Sequence, residues 1–245
     1  VDLTWAFDGE TIYWPTEEGF VHEHGTAGIV EPEEEPGAVG GYWYATHRFR
    51  AAEHGGTHMD APVHFGRGRR SAEAVPLDRL VGPGVVVDVR EACTRDPDHR
   101  VGAAAFERFE AEHGRIPEGT IVLVRTGFGR HWPDRERYLG TDRRGPEAVA
   151  ELHFPGLHPE AARWLVARKV AAVGIDTASI DPGQSRAFRS HRILAAAEMP
   201  AFENVARLES LPARGFSVIA LPMKIRGGTG APLRIVAVLQ EERDE

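Results

Sequence analysis

The chain has 245 residues, 42% hydrophobic and 27% charged, with 5 tryptophans and 11 phenylalanines, a composition that suits one globular domain spanning 1–245. Its formal net charge of -8 argues against a nucleic-acid partner, which would need a basic face, and no run approaches the roughly 18 consecutive apolar residues of a membrane helix. The single cysteine, Cys93, excludes an intramolecular disulfide and favours a reducing compartment, so a cytoplasmic location is expected. Val1 is not an initiator methionine, which leaves room for a signal peptide removed upstream.

In chain order, the first biased run is Glu31-Pro32-Glu33-Glu34-Glu35-Pro36-Gly37, whose prolines and four glutamates predict a solvated surface loop. A histidine-rich stretch follows at 53–65, and Arg67, Arg69 and Arg70 then read as an exposed Gly-rich turn. Short β-branched runs bounded by turn residues predict strands at 85–89, 121–124, 170–175, 216–221 and 233–239. Between them lie two predicted helices, Ala103 to His113 and Pro159 to Lys169. In the second, Pro159 suits a first-turn position and Glu160 the positive helix end. There Ala161, Trp164 and Leu165 form an apolar stripe at i, i+3 and i+4. Arg168 continues that row, with a stem able to cover the stripe. Helices among buried strands make an α/β domain, whose strand order this pattern does not give.

The chemistry concentrates in Glu53-His54-Gly55-Gly56-Thr57-His58-Met59-Asp60-Ala61-Pro62-Val63-His64-Phe65, where three histidines and an aspartate fall within eleven residues. A helix would place His54 and His58 on one face, but each glycine costs about 1 kcal/mol there and Pro62 about 3. Extended backbone fits better, because 54, 58, 60 and 64 share parity and so one face. His58 and Asp60 would then have Cα atoms about 7 Å apart, close enough to serve one ion. His54, about 13 Å from His58 on a straight strand, needs the bend that Gly55-Gly56 permits. Imidazole with carboxylate and no thiolate suits Zn(II), Mn(II), Fe(II) or Ni(II). Further ligands must come from elsewhere. The richest second region runs from Gly174-Ile175-Asp176-Thr177 through Asp181 to His191 and Glu203. Spacing alone leaves the roles of His191 and Glu203 open.

The run from His54 to Phe65 resembles the signature of the cyclase family, which includes bacterial kynurenine formamidase and isatin hydrolase. Trp14-Pro15, Gly174-Ile175-Asp176-Thr177, His191 with Leu194, Glu203-Asn204 and Leu221-Pro222-Met223-Lys224 before Gly227-Gly228 resemble further landmarks of that family. The resemblance implies a single compact α/β domain with a mixed, barrel-like sheet flanked by helices, of the swivelling β/β/α type. It implies His54, His58 and Asp60 as ligands of a first divalent metal, zinc or manganese. Asp60 would bridge to a second ion held by His191 and Glu203, giving one or two ions per chain. His64 would be the catalytic acid/base, Trp14 part of the substrate pocket, and the assembly a homodimer or homotetramer. Two departures bear on substrate: Thr16-Glu17 stands where formamidases tend to have Gly-Asp, and the acidic run lengthens the path from Trp14 to the metal motif.

A metal-dependent hydrolase of a small aromatic or cyclic amide is therefore expected, with His64 delivering a proton to the leaving nitrogen. The alternatives are a cyclase or lyase acting through an enolate, and a non-catalytic metal-binding protein. An acidic pocket mouth would repel anionic substrates unless Lys224 and Arg226 face it.

Overall fold

The computed structural model describes residues 1–30 and 41–240; the acidic loop expected at 31–37 lies outside them. The strands are β1 (Val21–Val30), β2 (Tyr42–Arg50), β3 (His58–Asp60), β4 (Val81–Asp88), β5 (Arg100–Val101), β6 (Ile121–Arg125), β7 (Gly156–Leu157), β8 (Ala172–Ile175), β9 (Ala201–Glu203), β10 (Phe216–Pro222) and β11 (Gly230–Leu239). The helices are α1 (Arg90–Arg95), α2 (Ala103–His113), α3 (Arg135–Leu139), α4 (Pro159–Ala167) and α5 (Arg189–Ala196). Seven strands close a mixed barrel in the order β10-β11-β3-β9-β8-β6-β4, β4 returning to β10. β4, β6, β8 and β9 run parallel to one another, and the remaining pairings are antiparallel. The expected α/β architecture with a barrel-like sheet is thus the observed one. β5 and β7 form a short parallel pair, and β1 and β2 an antiparallel ribbon.

Two apolar cores explain why the barrel strands read as continuous hydrophobic runs rather than alternating ones. Val86, Ile121, Leu123, Phe202, Phe216, Val218, Leu233 and Ile235 pack in one cluster inside the barrel. One residue out of step, Val85, Val87, Val122, Val124, Val173 and Ile175 pack outward against Phe106, Leu165 and Leu194 of the helices. A parallel segment covered on both faces needs apolar residues at successive positions, and each such side chain contributes about 1.5–3 kcal/mol on full burial.

Element ends differ from the sequence expectation for identifiable reasons. β4 begins at Val81, running through Gly82-Pro83-Gly84, which read as a turn. Pro83 pairs there with Ser217 of β10, while β6 joins β4 only from Gly84 onward, so the missing proline donor breaks no ladder on that side. β8 starts at Ala172, because the Val170 amide still closes α4 onto the Leu165 carbonyl. α4 ends at Ala167 and Lys169 takes a left-handed φ of 55°, two residues short of the expected end. Within α4, Ala161 and Leu165 are buried, and the Arg168 guanidinium lies 4.9 Å from the Trp164 ring centroid while pairing with Glu110 at 2.6 Å. The ribbon of β1 and β2 was not foreseen.

Gly84 marks the tightest seam of the barrel. A Cβ there would lie 2.1 Å from a Phe216 ring carbon and 2.8 Å from Val218 Cγ2. Gly84→Ala should therefore lower stability by about 1–3 kcal/mol through overpacking, read as a reduced urea midpoint. An unchanged midpoint would show that this seam can relax freely.

Candidate metal centre and active site

The site forms where β3 and β9 lie side by side. His58 pairs with Glu203 across the antiparallel ladder, so their side chains share a face, and Asp60, two residues on, shares it too. Met59 and Phe202 alternate with them and point into the barrel core. Gly56 supplies the expected bend, with φ of 54°. The neighbouring Gly55 lies so close to Tyr13 that a Cβ would sit 2.1 Å from its ring. His54 is thereby turned back onto the strand pair. His191 arrives from α5, whose start is held by Asp181: this carboxylate accepts from the Ser190 and His191 amides at 3.2 and 3.0 Å.

These elements bring together all five of the expected ligands. His54, His58 and Asp60 offer ligand atoms within 4.8 Å of one another, as do Asp60, His191 and Glu203. Asp60 belongs to both groups. Its Oδ1 lies 2.7 Å from His54 Nδ1 and 3.3 Å from His58 Nε2, and its Oδ2 lies 3.1 Å from His191 Nε2. Glu203 approaches His191 Nε2 at 3.0 Å with Oε1 and His58 Nε2 at 3.4 Å with Oε2.

Hydrogen bonds on the far side of each ring define which nitrogen faces inward. His58 Nδ1 donates to the Gly56 carbonyl at 3.0 Å, and His191 Nδ1 to Asp181 Oδ2 at 2.7 Å. His54 Nε2 donates to the Thr229 hydroxyl at 2.9 Å, which in turn donates to Glu53 at 2.6 Å. With each ring neutral, the inward nitrogens, His54 Nδ1, His58 Nε2 and His191 Nε2, therefore present lone pairs to carboxylate oxygens. Acceptor meets acceptor. His58 Nε2 and Asp60 Oδ2 are buried without a hydrogen-bond partner, which a native interior rarely tolerates.

Proton affinities register the same demand for positive charge. Burial opposes charge on His191, yet Asp181, Asp60 and Glu203 raise its pKa well above the usual value. His58 is raised against the same burial penalty, by Asp60 and Glu203. Asp60, which burial alone would push up, is held well below the ordinary range when His54, His191 and His58 carry a second proton beside it. Two buried carboxylates and three inward lone pairs fit a divalent cation with nitrogen and oxygen ligands. The ring orientation by Asp181, Gly56 and Thr229–Glu53 is the outer support such ligands need.

His64 also reaches the site, but by a different route from the one its spacing suggested. β3 ends at Asp60, and Pro62–His64 forms a single 3-10 turn. Strand parity therefore does not place His64; the turn does, stacking its ring on His54 at a centroid distance of 3.9 Å. His64 is exposed toward the cavity, yet desolvation among its neighbours pushes its pKa down to about 4, with Asp60 pulling upward and His54, His191 and His58 adding to the fall. His64 is thus a neutral imidazole near pH 7.

Above the cluster opens a cavity of about 420 Å³, within the usual range for small-molecule sites. Trp14, Phe65 and Phe188 line it, with Trp14 stacked edge-on against Phe154 at 6.4 Å. Among the described residues Glu17 and Glu53 bring charge to its wall and no lysine or arginine does; Lys224 and Arg226 do not line it. Asp176, noted in the sequence for its position after a strand, is occupied otherwise: it accepts from the Thr126 amide and hydroxyl and the Gly127 amide, tying β8 to the loop after β6. The sequence reading placed Asp181 and Glu53 within its two candidate regions without giving them a supporting role, and it did not single out Thr229 or the wall residue Phe188.

Residues 1–182 match the sequence profile of a family described as putative cyclase. Isatin hydrolase of Roseibium aggregatum is 32% identical over 207 residues, covering 81% of this chain and 76% of that protein. Kynurenine formamidase of Salinibacter ruber is 32% identical over 198 residues, covering 80% and 79%. A crystal structure of an isatin hydrolase bound to the product analogue thioisatinate superimposes with a TM-score of 0.82 at 28% identity, covering 98% of this chain and 92% of that one.

Two metal-binding outcomes are expected. Asp60→Ala should abolish uptake of both ions in equilibrium dialysis against zinc, whereas Glu203→Ala should keep the ion at His54 and His58; full occupancy in the Asp60 variant would rule out a shared carboxylate. Thr229→Val, which removes the acceptor that fixes the His54 tautomer, should weaken zinc affinity about 10–100-fold. Thr229→Ser should restore it. Equal affinity in the valine variant would mean that His54 needs no such support.

Proposed function

The chain belongs to the cyclase family as a metal-dependent hydrolase of non-peptide C–N bonds, and we propose that its substrate is a small, uncharged aromatic amide, a fused lactam of the isatin type foremost. The observation that carries this reading is the cavity itself: aromatic walls above a histidine–carboxylate floor, with no cationic side chain among its described lining residues. A substrate bearing a carboxylate with no compensating ammonium would meet Glu17 and Glu53 and find no guanidinium or ammonium to pair with. Isatin carries no charge to match. The relatives' printed names, isatin hydrolase and kynurenine formamidase, bracket the two possibilities.

His54, His58 and Asp60 would hold one divalent ion, and Asp60, His191 and Glu203 a second. Zinc and manganese are the ions this nitrogen–oxygen set favours, in the absence of thiolate. Such an ion lowers the pKa of water from about 15.7 toward about 7 and polarises a carbonyl. The chain's own part is positioning and proton transfer. Trp14 and Phe188 flank the cavity and offer a flat substrate their ring faces. His64, neutral and facing the same cavity, accepts the proton of the attacking water and then delivers it to the leaving nitrogen. Thr229–Glu53 and Asp181 hold their imidazoles in place while this occurs. We assign the enzyme to the cytoplasm, a reading supported by the buried free thiol of Cys93; among the described residues no helix is long and apolar enough to cross a membrane.

His64→Ala should keep its metal and lose about 10²–10⁴-fold in kcat. Loss of stoichiometric metal in that variant would make His64 a ligand instead. For substrate, turnover of isatin, N-formylkynurenine and a simple carboxylate ester should be compared with zinc and with manganese, in oxygen-18 water. Isatin is expected to be preferred, with solvent oxygen in the product. Preference for N-formylkynurenine would overturn the fused-lactam assignment, and a product without solvent oxygen would overturn hydrolysis in favour of enolate chemistry.

A further inference from the structure

None of the residues of α3 (Arg135–Leu139) lines the cavity or belongs to the ligand cluster, yet two of its side chains lead to the bend that carries His54 and His58. The helix is a short piece closed at both ends. Asp134 accepts from the Arg137 amide at 3.0 Å, and Gly140, at a left-handed φ of 87°, donates to the Glu136 carbonyl at 2.9 Å. Arg135 and Tyr138 stand three apart and so share a face. Tyr138 is fully buried. Its hydroxyl lies 2.8 Å from Asn204 Oδ1 and 3.1 Å from the Asp176 carbonyl. Burial, with the negative charges of Asp176 and Glu203, holds its pKa well above the usual tyrosine value, so it meets both oxygens as a donor. An asparagine amide offers one oxygen and one NH2 group. With the oxygen claimed by Tyr138, the nitrogen of Asn204 faces Gly56 and donates to its carbonyl at 2.7 Å. That same carbonyl accepts from His58 Nδ1 at 3.0 Å. Tyr138 thus fixes the amide that fixes the carbonyl on which the His58 ring rests.

Arg135 leads to the other glycine. Its Nη1 donates to the Tyr13 carbonyl at 2.9 Å. Tyr13 bridges Gly55 as its antiparallel partner, and the Tyr13 ring fills the space that a side chain at Gly55 would need. The Gly56 amide donates to the Ile12 carbonyl at 3.0 Å, so residues 12 and 13 form a rail along which the bend is laid. Arg135 holds that rail at a cost. Its Nε and Nη2 are buried and, among the described residues, unpartnered, and burial together with the charge of Arg144 lowers its pKa. Buried donors left unmet cost stability, so an apolar side chain of the same length would serve packing better. What the guanidinium adds is its bond to Tyr13.

We propose that Arg135 and Tyr138 are positioning residues for the metal centre: from one short helix they fix the Gly55-Gly56 bend on both sides, Arg135 through Tyr13 and Tyr138 through Asn204, and so set His54 and His58 relative to each other. The proposal rests on the ligand set given above for the first ion. Glycine is needed at the bend for its backbone angle and close packing, and two adjacent glycines leave that stretch of chain with the most conformational freedom to lose. A metal site loses affinity when its ligands must be ordered at the moment of binding. Holding the bend beforehand removes that cost.

Two measurements on the full chain test this, one with zinc and one without. In equilibrium dialysis, Tyr138→Phe and Arg135→Met should each weaken zinc affinity about tenfold, the lower end of what loss of an outer support costs. In the metal-free chain, hydrogen exchange of the Gly56 amide should speed up about tenfold in both variants, while the Val122 amide of β6 keeps its protection, as expected of a local opening. Leu139→Val, which trims a buried side chain of the same helix that has no bond toward the bend, should lower the urea midpoint and leave both readouts unchanged. Unaltered Gly56 exchange and zinc affinity in the Tyr138 and Arg135 variants would overturn the proposal. So would an equal loss in Leu139→Val, which would reduce the effect to general packing. A wild type that takes up no zinc while Gly56 exchange responds as expected would support the coupling to the bend and count against the ligand set instead.

Discussion

Asp60 meets three imidazole nitrogens with its two oxygens, in a pocket where neither partner has a proton to spare. The outward nitrogens of His54, His58 and His191 already donate to Thr229, Gly56 and Asp181, so what each ring turns toward Asp60 is a lone pair. With Glu203 beside it, the site holds two carboxylates at 4–5% exposure. Burying such charges without compensation costs several kcal/mol for each ion. Positive charge between the groups removes both problems together, whether carried by protons or by a divalent ion. A divalent ion does so without altering the tautomers that the outer hydrogen bonds impose.

The barrel makes this arrangement possible by separating two functions along one pair of strands. Met59 and Phe202 fill the apolar interior, and the residues on either side of them, His58, Asp60 and Glu203, point the other way. Stability and chemistry thus alternate residue by residue. Asn204 closes the segment at a left-handed φ of 54°. Its side chain donates to the Gly56 carbonyl at 2.7 Å and accepts from Tyr138 at 2.8 Å. Asparagine tolerates that backbone better than most residues, and here it links the Gly56 bend to the end of β9. The two halves of the ligand set, far apart in sequence, are held to one another by this contact.

Legibility in the sequence follows contact range. His54, His58 and Asp60 could be read because glycine, spacing and residue type act within seven residues, where strand geometry is a sufficient guide. His191 and Glu203 could not be assigned from spacing, because their placement depends on the β3–β9 register and on where α5 docks; a family resemblance supplied what local rules could not. His64 shows the limit of parity reasoning. Pro62 ends the strand and starts a turn, so the residue reached the site for a reason other than its even spacing. The barrel strands were visible as apolar runs, but their closure was not, since strand order is a property of long-range pairing. In the ribbon the alternation of Trp43, Ala45, His47 and Phe49 was available and went unread. The adjacent glutamate run has the composition of a loop, and the bulge between His24 and Ala27 breaks the matching alternation in β1.

The distribution of charge around the cavity bears on turnover as well as on choice of substrate. Opening a neutral lactam, the proposed reaction, would create a carboxylate where there was none, and so would change how the product interacts with the walls. Trp14, Phe65 and Phe188 attract substrate and product alike, because ring contact is indifferent to the new charge. Glu17 and Glu53 are not indifferent. They neither help nor hinder an uncharged substrate, yet they repel the anion formed from it, and in a confined cavity that repulsion is less screened than at an open surface. A pocket lined by arginine would do the opposite, holding the product and slowing its release. Acidic walls above a metal-type floor therefore favour a reaction that begins neutral and ends anionic, with the floor stabilising the developing negative charge and the walls promoting its departure.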